Sequence, residues 1–388
     1  MNVARHSRGR NATVSQILNL SRCFNKAFLS KQARKEEIPS VVTSSNDVLS
    51  VSERDLGKLY VTPRREFEKI FPHGLQTSFM KEVQSSSQAG ILVRKPALDI
   101  INHLRNHSQS NTSPMRFIIN GPDGCGKTLT LAHIIHYCCK ANWLVVQIPS
   151  VFEWVYSRNK VRHNMHDHQT FDQPQEALEW LRNFKTLNAS HLTHLKTTSK
   201  HTWGKVDVTK SGQPLGVVVD QGLQKPMNAT DAISVLLREI AKVKDRKILF
   251  AVDEFNGLFG TTSVQDPDKQ LVHLKSLNLI SHFQRLLTDL LSANTSATVA
   301  SLSRTGMLHT RSRGFGLRDL LPHTWLQQLK PYVNIRVEEY SDDEMTSILE
   351  YYAHIKWLVA SRDQKTVTEI RFLTQRKPFA VQKICSTC

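Results

Sequence analysis

Short apolar runs recur along the chain, and stretches of helical spacing separate them. Five read as strands: Arg116-Phe117-Ile118-Ile119-Asn120, Trp143 to Ile148 ahead of Pro149, Lys247 to Val252, Thr298 to Ser303, and Tyr332 to Val337. A run as apolar as Trp143–Ile148 fits a parallel strand covered on both faces. Leu98, Ile101 and Leu104 predict a helix that feeds the first strand, and the stretch from Thr128 to Cys139 predicts the helix after it. Ala229 to Val243 is strongly helical, with Ile233, Leu236, Leu237 and Ile240 on one face and Asn228 or Thr230 as caps. An amphipathic helix spans Leu271 to Leu291. Ser341-Asp342-Asp343-Glu344 is a capping box that opens a helix lined by Ile348, Leu349, Tyr352 and Ile355. Strand–helix–strand order predicts an α/β fold, a parallel sheet flanked by helices, with right-handed crossovers.

The stretches between these elements divide the chain. Residues 1–40 are basic, and 41–90 are polar and Ser-rich around a small apolar turn at Phe71-Pro72-His73-Gly74-Leu75, which reads as an extended arm. Residues 91–340 form the core, with a long insertion at about 152–226 that is partly helical around Ala177 to Phe184. Residues 341–388 form a small C-terminal helical region. The insertion's His163, His166 and His168 lack the cysteines or carboxylates of a metal site, so a solvated segment is the better reading.

Charge changes the picture. With 51 Lys+Arg against 34 Asp+Glu, the chain carries +17, which points to a polyanionic neighbour, nucleic acid before membrane. No apolar run is long enough to cross a bilayer. Eight basic residues precede the first acid, Glu36, and share the segment with Leu18, Leu20, Phe24 and Phe28. That composition matches a mitochondrial transit peptide, with a nucleic-acid-binding tail as the alternative. Without those eight, the balance would still be +9. The six cysteines are sparse and irregular, as in a reducing compartment, and Cys385-Ser386-Thr387-Cys388 has no second ligand pair.

The chemistry concentrates after the first core strand. Gly121-Pro122-Asp123-Gly124-Cys125-Gly126-Lys127-Thr128 fits GxxxxGK[ST] at every fixed position. Glycines let backbone N–H groups close around phosphate oxygens, Lys127 supplies a cation for the β- and γ-phosphates, and Thr128 supplies a hydroxyl for Mg²⁺. The following helix aims its positive end at the same anion. Asp253, ending an apolar strand, would hold Mg²⁺ through water, and Glu254 would sit near the γ-phosphate as a candidate catalytic base. Ser303 or Arg304, after the next strand, is the candidate γ-phosphate sensor. Arg304, Arg311, Arg313 and Arg318 form a basic cluster suited to RNA contact or solvation rather than to an arginine finger. Arg94 and Lys95 read as a basic pair, either exposed or bordering the base.

Together these stretches resemble the mitochondrial small-ribosomal-subunit GTP-binding family also called death-associated protein 3. The likeness runs from about Tyr60 to Leu358. Its carriers are Phe71 to Leu75, Val93-Arg94-Lys95-Pro96-Ala97-Leu98, the phosphate loop, Phe171-Asp172-Gln173-Pro174, Trp180-Leu181, Asn183 to Thr186, Pro214-Leu215-Gly216, Asn228 to Ala232, and Ala251-Val252-Asp253. The resemblance implies an AAA+-like P-loop NTPase fold with a C-terminal lid. It also implies a mitochondrial matrix location, a place in the small ribosomal subunit among its proteins and rRNA, GTP or GDP with Mg²⁺ as ligands, and a role in cell-death signalling. Neither a membrane nor a second copy of the chain is an expected partner. No NKxD sequence is present, so guanine preference rests on the resemblance. Two function classes follow: a structural component whose bound nucleotide stabilises the fold, which the reading favours, and a free NTPase switch driven by hydrolysis.

Overall fold

The computed structural model describes residues 40–107, 115–204, 207–291, 296–307, 314–360 and 363–386. Residues 1–39 of the expected transit peptide, Arg311, Arg313 and Cys388 lie outside them.

In chain order the principal elements are β1 (Leu59–Pro63), α1 (Arg64–Ile70), α2 (Thr77–Ser86), β2 (Gln88–Leu92), α3 (Lys95–His107), β3 (Met115–Asn120), α4 (Lys127–Lys140), β4 (Leu144–Ile148) and α5 (Val151–Val155). Two short hairpins, β5 (Arg162–His163) with β6 (Phe171–Asp172) and β7 (His201–Thr202) with β8 (Val208–Thr209), flank α6 (Pro174–Leu187) and α7 (Ala189–His194). Then come α8 (Leu215–Gln224), α9 (Ala229–Ala241), β9 (Ile248–Val252), α10 (Asn278–Leu290), β10 (Ser296–Ser301), α11 (Leu317–Leu320), α12 (His323–Gln328) and β11 (Val333–Arg336). Helices α13 (Asp342–His354), α14 (Gln364–Thr374) and α15 (Pro378–Cys385) close the described chain.

The expected strands form one parallel sheet in the order β11-β3-β10-β9-β4. Val299 on β10 lies opposite Phe117 on β3 and Ala251 on β9. Successive side chains on a strand point to opposite faces, so an unbroken apolar run feeds two cores. Ile248, Phe250 and Val252 join α6, α8, α9 and α10 on one face, while Leu249 and Ala251 join α3 and α4 on the other.

Three expectations need correction. The segment 41–90 is not an extended arm. It folds as the antiparallel pair β1–β2 with α1 and α2 between them. Phe67 and Phe71, their rings 4.8 Å apart, are fully buried in the core that the sheet shares with α4. Nor is the insertion mainly solvated. A two-sided sheet needs a second helical layer, and α6 and α8 supply part of it, with Trp180 stacked on Phe184 and set edge-on to Phe283. The short hairpins remain as its polar parts. Third, the helix expected from Leu271 begins at Asn278, and neither proposed cap of α9 serves: Asn228 makes no side-chain cap bond and Thr230 lies inside the helix. The capping box at Ser341 and Glu344 is present as expected.

Helices α13 to α15 share a core with Leu59 and Leu92 of the β1–β2 pair. The approach is close: a Cβ on Gly90 would meet the Tyr351 ring at 2.4 Å. Among the described residues no helix is long and apolar enough to cross a membrane.

Candidate nucleotide site

The glycine loop hangs between β3 and α4 at the carboxyl end of the sheet. Its first residue is fixed by β11: Val337 donates its N–H to the Asn120 carbonyl at 2.8 Å, and a Cβ on Gly121 would sit 2.0 Å from the Val337 oxygen. Only glycine passes there, at φ +142°. Gly126, at φ +94°, turns the chain into α4, whose unsatisfied N-terminal amides and dipole face the loop. Lys127 Nζ donates to the carbonyls of Gly121 and Pro122, each at 2.9 Å, and lies 3.9 Å from Asp123 Oδ1. Burial lowers its pKa, opposed chiefly by Asp123 and then Asp253. Burial also pushes the Cys125 thiol up to about 11, so it stays a neutral thiol at neutral pH.

Parallel pairing of β3, β10, β9 and β4 gathers the other half of the site. Thr128 donates to Asp253 Oδ2 at 2.6 Å, and Ser301, ending β10, donates to Asp253 Oδ1. Burial and the neighbouring Glu254 raise the Asp253 pKa, while the Ser301 and Thr128 hydroxyls pull the other way. A carboxylate and a hydroxyl already in contact at the mouth of a phosphate loop offer the hard oxygen donors that Mg²⁺ prefers. The residues fit the ion.

Glu254 adopts a left-handed backbone conformation at φ +57°. Its Oε2 accepts from the Ser150 hydroxyl at 2.6 Å and the Phe152 N–H at 3.0 Å, and its Oε1 accepts from Thr305 at 2.7 Å. The carboxylate therefore caps α5 and ties it to the loop after β10. Ser303 lies one hydroxyl further out: its Oγ meets Thr305 Oγ1 at 2.7 Å, and its N–H donates to Asn256 at 3.0 Å. Arg304 Nε pairs with Asp123 Oδ2 at 2.8 Å, bridging that loop to the phosphate loop.

The structure thus brings Thr128, Asp253, Glu254 and Arg304 to one end of the sheet, and it adds Ser301 as a contact of Asp253, while Ser303, the expected γ-phosphate sensor, follows on the loop after β10. Sequence reasoning missed Ser150, Ser301 and Thr305. Register would have found Ser301, since β10 runs opposite β9 and its last residue falls beside the strand's terminal acid. Arg94 and Lys95 part company: Lys95 is exposed and pairs with Asp99, whereas Arg94 is buried.

Beside Thr128, Asp253 and Glu254 opens a cavity of about 520 Å³, bordered also by His73, Glu153 and Trp180. Burial lowers the His73 pKa to about 4, so its ring is neutral. Burial, with Glu179 and Glu254 near, raises that of Glu153.

The family profile described as mitochondrial ribosomal death-associated protein 3 matches residues 91–383. The chain belongs to that family. It is similar to the mouse small ribosomal subunit protein mS29, at 34% identity over 94% of this chain and 95% of the relative. The cattle protein of the same name is 32% identical over 93% and 91%. The fission yeast one is 21% identical over 78% and 66%. Among solved structures, AMPPCP-bound DnaA from Aquifex aeolicus aligns at a TM-score of 0.34 and 10% identity, over 75% of this chain and 59% of that one. The chain itself is an α/β fold built on a five-strand parallel sheet flanked by helices, and its family is mitochondrial and ribosomal.

Proposed function

We propose that this chain, a component of the small subunit of the mitochondrial ribosome, holds a guanine nucleotide with Mg²⁺ at Gly121–Thr128 as a structural ligand. The observation that carries the reading is the Thr128–Asp253 contact of 2.6 Å at the mouth of a complete glycine loop. Lys127 would take the β- and γ-phosphates, and Thr128 and Asp253 would hold the ion, whose charge neutralises the phosphate oxygens. Glu254 is already committed to Ser150, Phe152 and Thr305, which favours retention of the nucleotide over turnover. The balance of +9 that remains without the eight N-terminal basic residues supports contact with rRNA phosphates as well as with neighbouring proteins. Guanine, rather than adenine, rests on the family resemblance.

Denaturing extraction of nucleotide from the native protein, beside a Lys127→Ala variant, tests the reading. GTP or GDP is expected in the wild type, with both nucleotide and ribosome association lost in the variant. ATP or ADP would replace the guanine assignment, and absence of any nucleotide would make the loop a structural relic.

A second reading, an NTPase switch, draws on Glu254 standing next to Asp253. Single-turnover hydrolysis by wild type and Glu254→Gln separates the two. A rate unchanged by the substitution removes Glu254 from catalysis and leaves the structural reading.

A further inference from the structure

Arg94 lies between β2 and α3, and it is 8% exposed. Its guanidinium joins three parts of the chain. Nη1 donates to the Cys125 carbonyl of the glycine loop at 2.9 Å. Nη2 donates to the carbonyls of Glu338 and Glu339, between β11 and α13, at 3.0 and 3.1 Å. Nε and Nη2 form a two-point pair with Glu344 Oε1 and Oε2 at 2.9 and 3.0 Å. The Tyr340 ring centre lies 5.2 Å from the guanidinium carbon. Glu344 is also the capping-box acid of α13, accepting from the Ser341 N–H, so the charge pair and the helix start are one construction. A second tie runs alongside: the Phe379 N–H, in the first turn of α15, donates to the Gly124 carbonyl at 3.0 Å.

Peptide units are planar and trans, so pinning a carbonyl one way directs the following N–H the opposite way. Phe379 pins the Gly124 carbonyl and Arg94 pins that of Cys125. The N–H groups of Cys125 and Gly126 are thereby turned away from the C-terminal helices. Amides of a GxxxxGK loop are the groups that cradle phosphate oxygens.

We infer that Arg94 is a positioning residue for the phosphate site. Through Cys125 it aims the loop's amides, and through Glu344 it makes docking of α13–α15 a condition of tight nucleotide binding. This rests on the nucleotide-binding reading above. Coupling of this kind is reciprocal: bound nucleotide holds the helices by the factor with which the docked helices strengthen nucleotide. The fork geometry is essential, because a lysine ammonium is a point donor that cannot span the carboxylate and the loop carbonyl together.

The test uses the full chain with a fluorescent GTP analogue and Mg²⁺ as probe, in the wild type, Arg94→Lys, Glu344→Gln and the double variant. Probe affinity is read beside hydrogen exchange of α13 and α15 with and without probe, and thermal melting confirms folding. In the wild type the probe slows exchange in α13 and α15. Glu344→Gln is nearly isosteric and reaches the loop only through Arg94, yet it weakens the probe by about tenfold. Arg94→Lys does the same, and the double variant is no weaker than either single one. Folded single variants that bind the probe as the wild type does would overturn the inference and leave Arg94 a structural tie. So would exchange in α13 and α15 that ignores the probe. A wild type that binds neither a GTP nor an ATP analogue removes the nucleotide reading itself, and this inference with it.

Discussion

The two flanks of the phosphate loop are built in different ways. On the Asp253 side, Thr128, Asp253 and Ser301 meet because β3, β9 and β10 run parallel and end together, and the contacts are hydroxyls on carboxylates. On the Arg94 side, one buried charge pair joins residues 250 positions apart, across a link that no sheet register enforces. A sheet end places its side chains by backbone ladder, so losing one hydroxyl there leaves the frame intact. A buried ion pair places its partners by itself, and losing one member strands the other. The difference teaches that the same site can be tolerant on one side and brittle on the other.

The largest break of that contrast is Arg94→Ala. With both members of the pair mostly buried, removal leaves Glu344 uncompensated, and a loss of roughly 3–5 kcal/mol in chemical denaturation is expected. A loss below about 1 kcal/mol would reduce this flank to an ordinary surface pair.

The brittle flank also carries a pH dependence. Glu82 on α2 is 1% exposed, and its Oε2 accepts from Gln382 of α15 at 2.5 Å. Burial raises its pKa from 4.5 to about 7, against the hydrogen bonds from Gln382 and Tyr352. A carboxyl whose pKa is raised in the folded state binds more protons there than when unfolded. The contribution of Glu82 to stability is therefore greatest below about 4.5, falls through the window up to about 7, and stays level above it. The slope is about 1.4 kcal/mol per pH unit at its steepest. Glu82→Gln should remove the decline, melting hotter than the wild type at about pH 8 and equally near pH 4.5. Identical melting curves at both values would place the charge elsewhere.

On the tolerant flank, Ser301→Ala should weaken Mg²⁺-dependent nucleotide binding by roughly tenfold while leaving the melting temperature nearly unchanged. Unaltered Mg²⁺ dependence would make Ser301 a bystander to Asp253. The smallest effect belongs to Ser341→Ala, which removes the hydroxyl cap that accepts from the Glu344 N–H at 3.1 Å and should cost about 1 kcal/mol. An effect much larger than that on nucleotide affinity would show that the cap itself, and not only the Arg94 pair, conditions the site.

Where local pattern sufficed, the elements were legible. GxxxxGK[ST] is contiguous and sits in the strand–loop–helix that it predicts, and Ser341 to Glu344 is a four-residue signal that closes on itself. The five strands were legible because a two-sided sheet demands unbroken apolar runs. The segment 41–90 was misread for the opposite reason: Phe67, Phe71 and Tyr60 are scattered among polar residues, and each gains meaning only from what it packs against. The layer formed by α6 and α8 was obscured in the same way by the polar stretches around it.

By itself the amino-acid sequence determined the five strands, the glycine loop and the acid that follows β9, since each depends on residues that are neighbours in the chain. Tertiary structure alone decided that Ser301 reaches Asp253, that Glu254 is held by Ser150 and Thr305, and that Arg94 is buried against Cys125 and Glu344. Those contacts span 31 to 250 residues. A side-chain hydrogen bond acts over about 3 Å, and no periodicity along a chain encodes which distant segments will come that close.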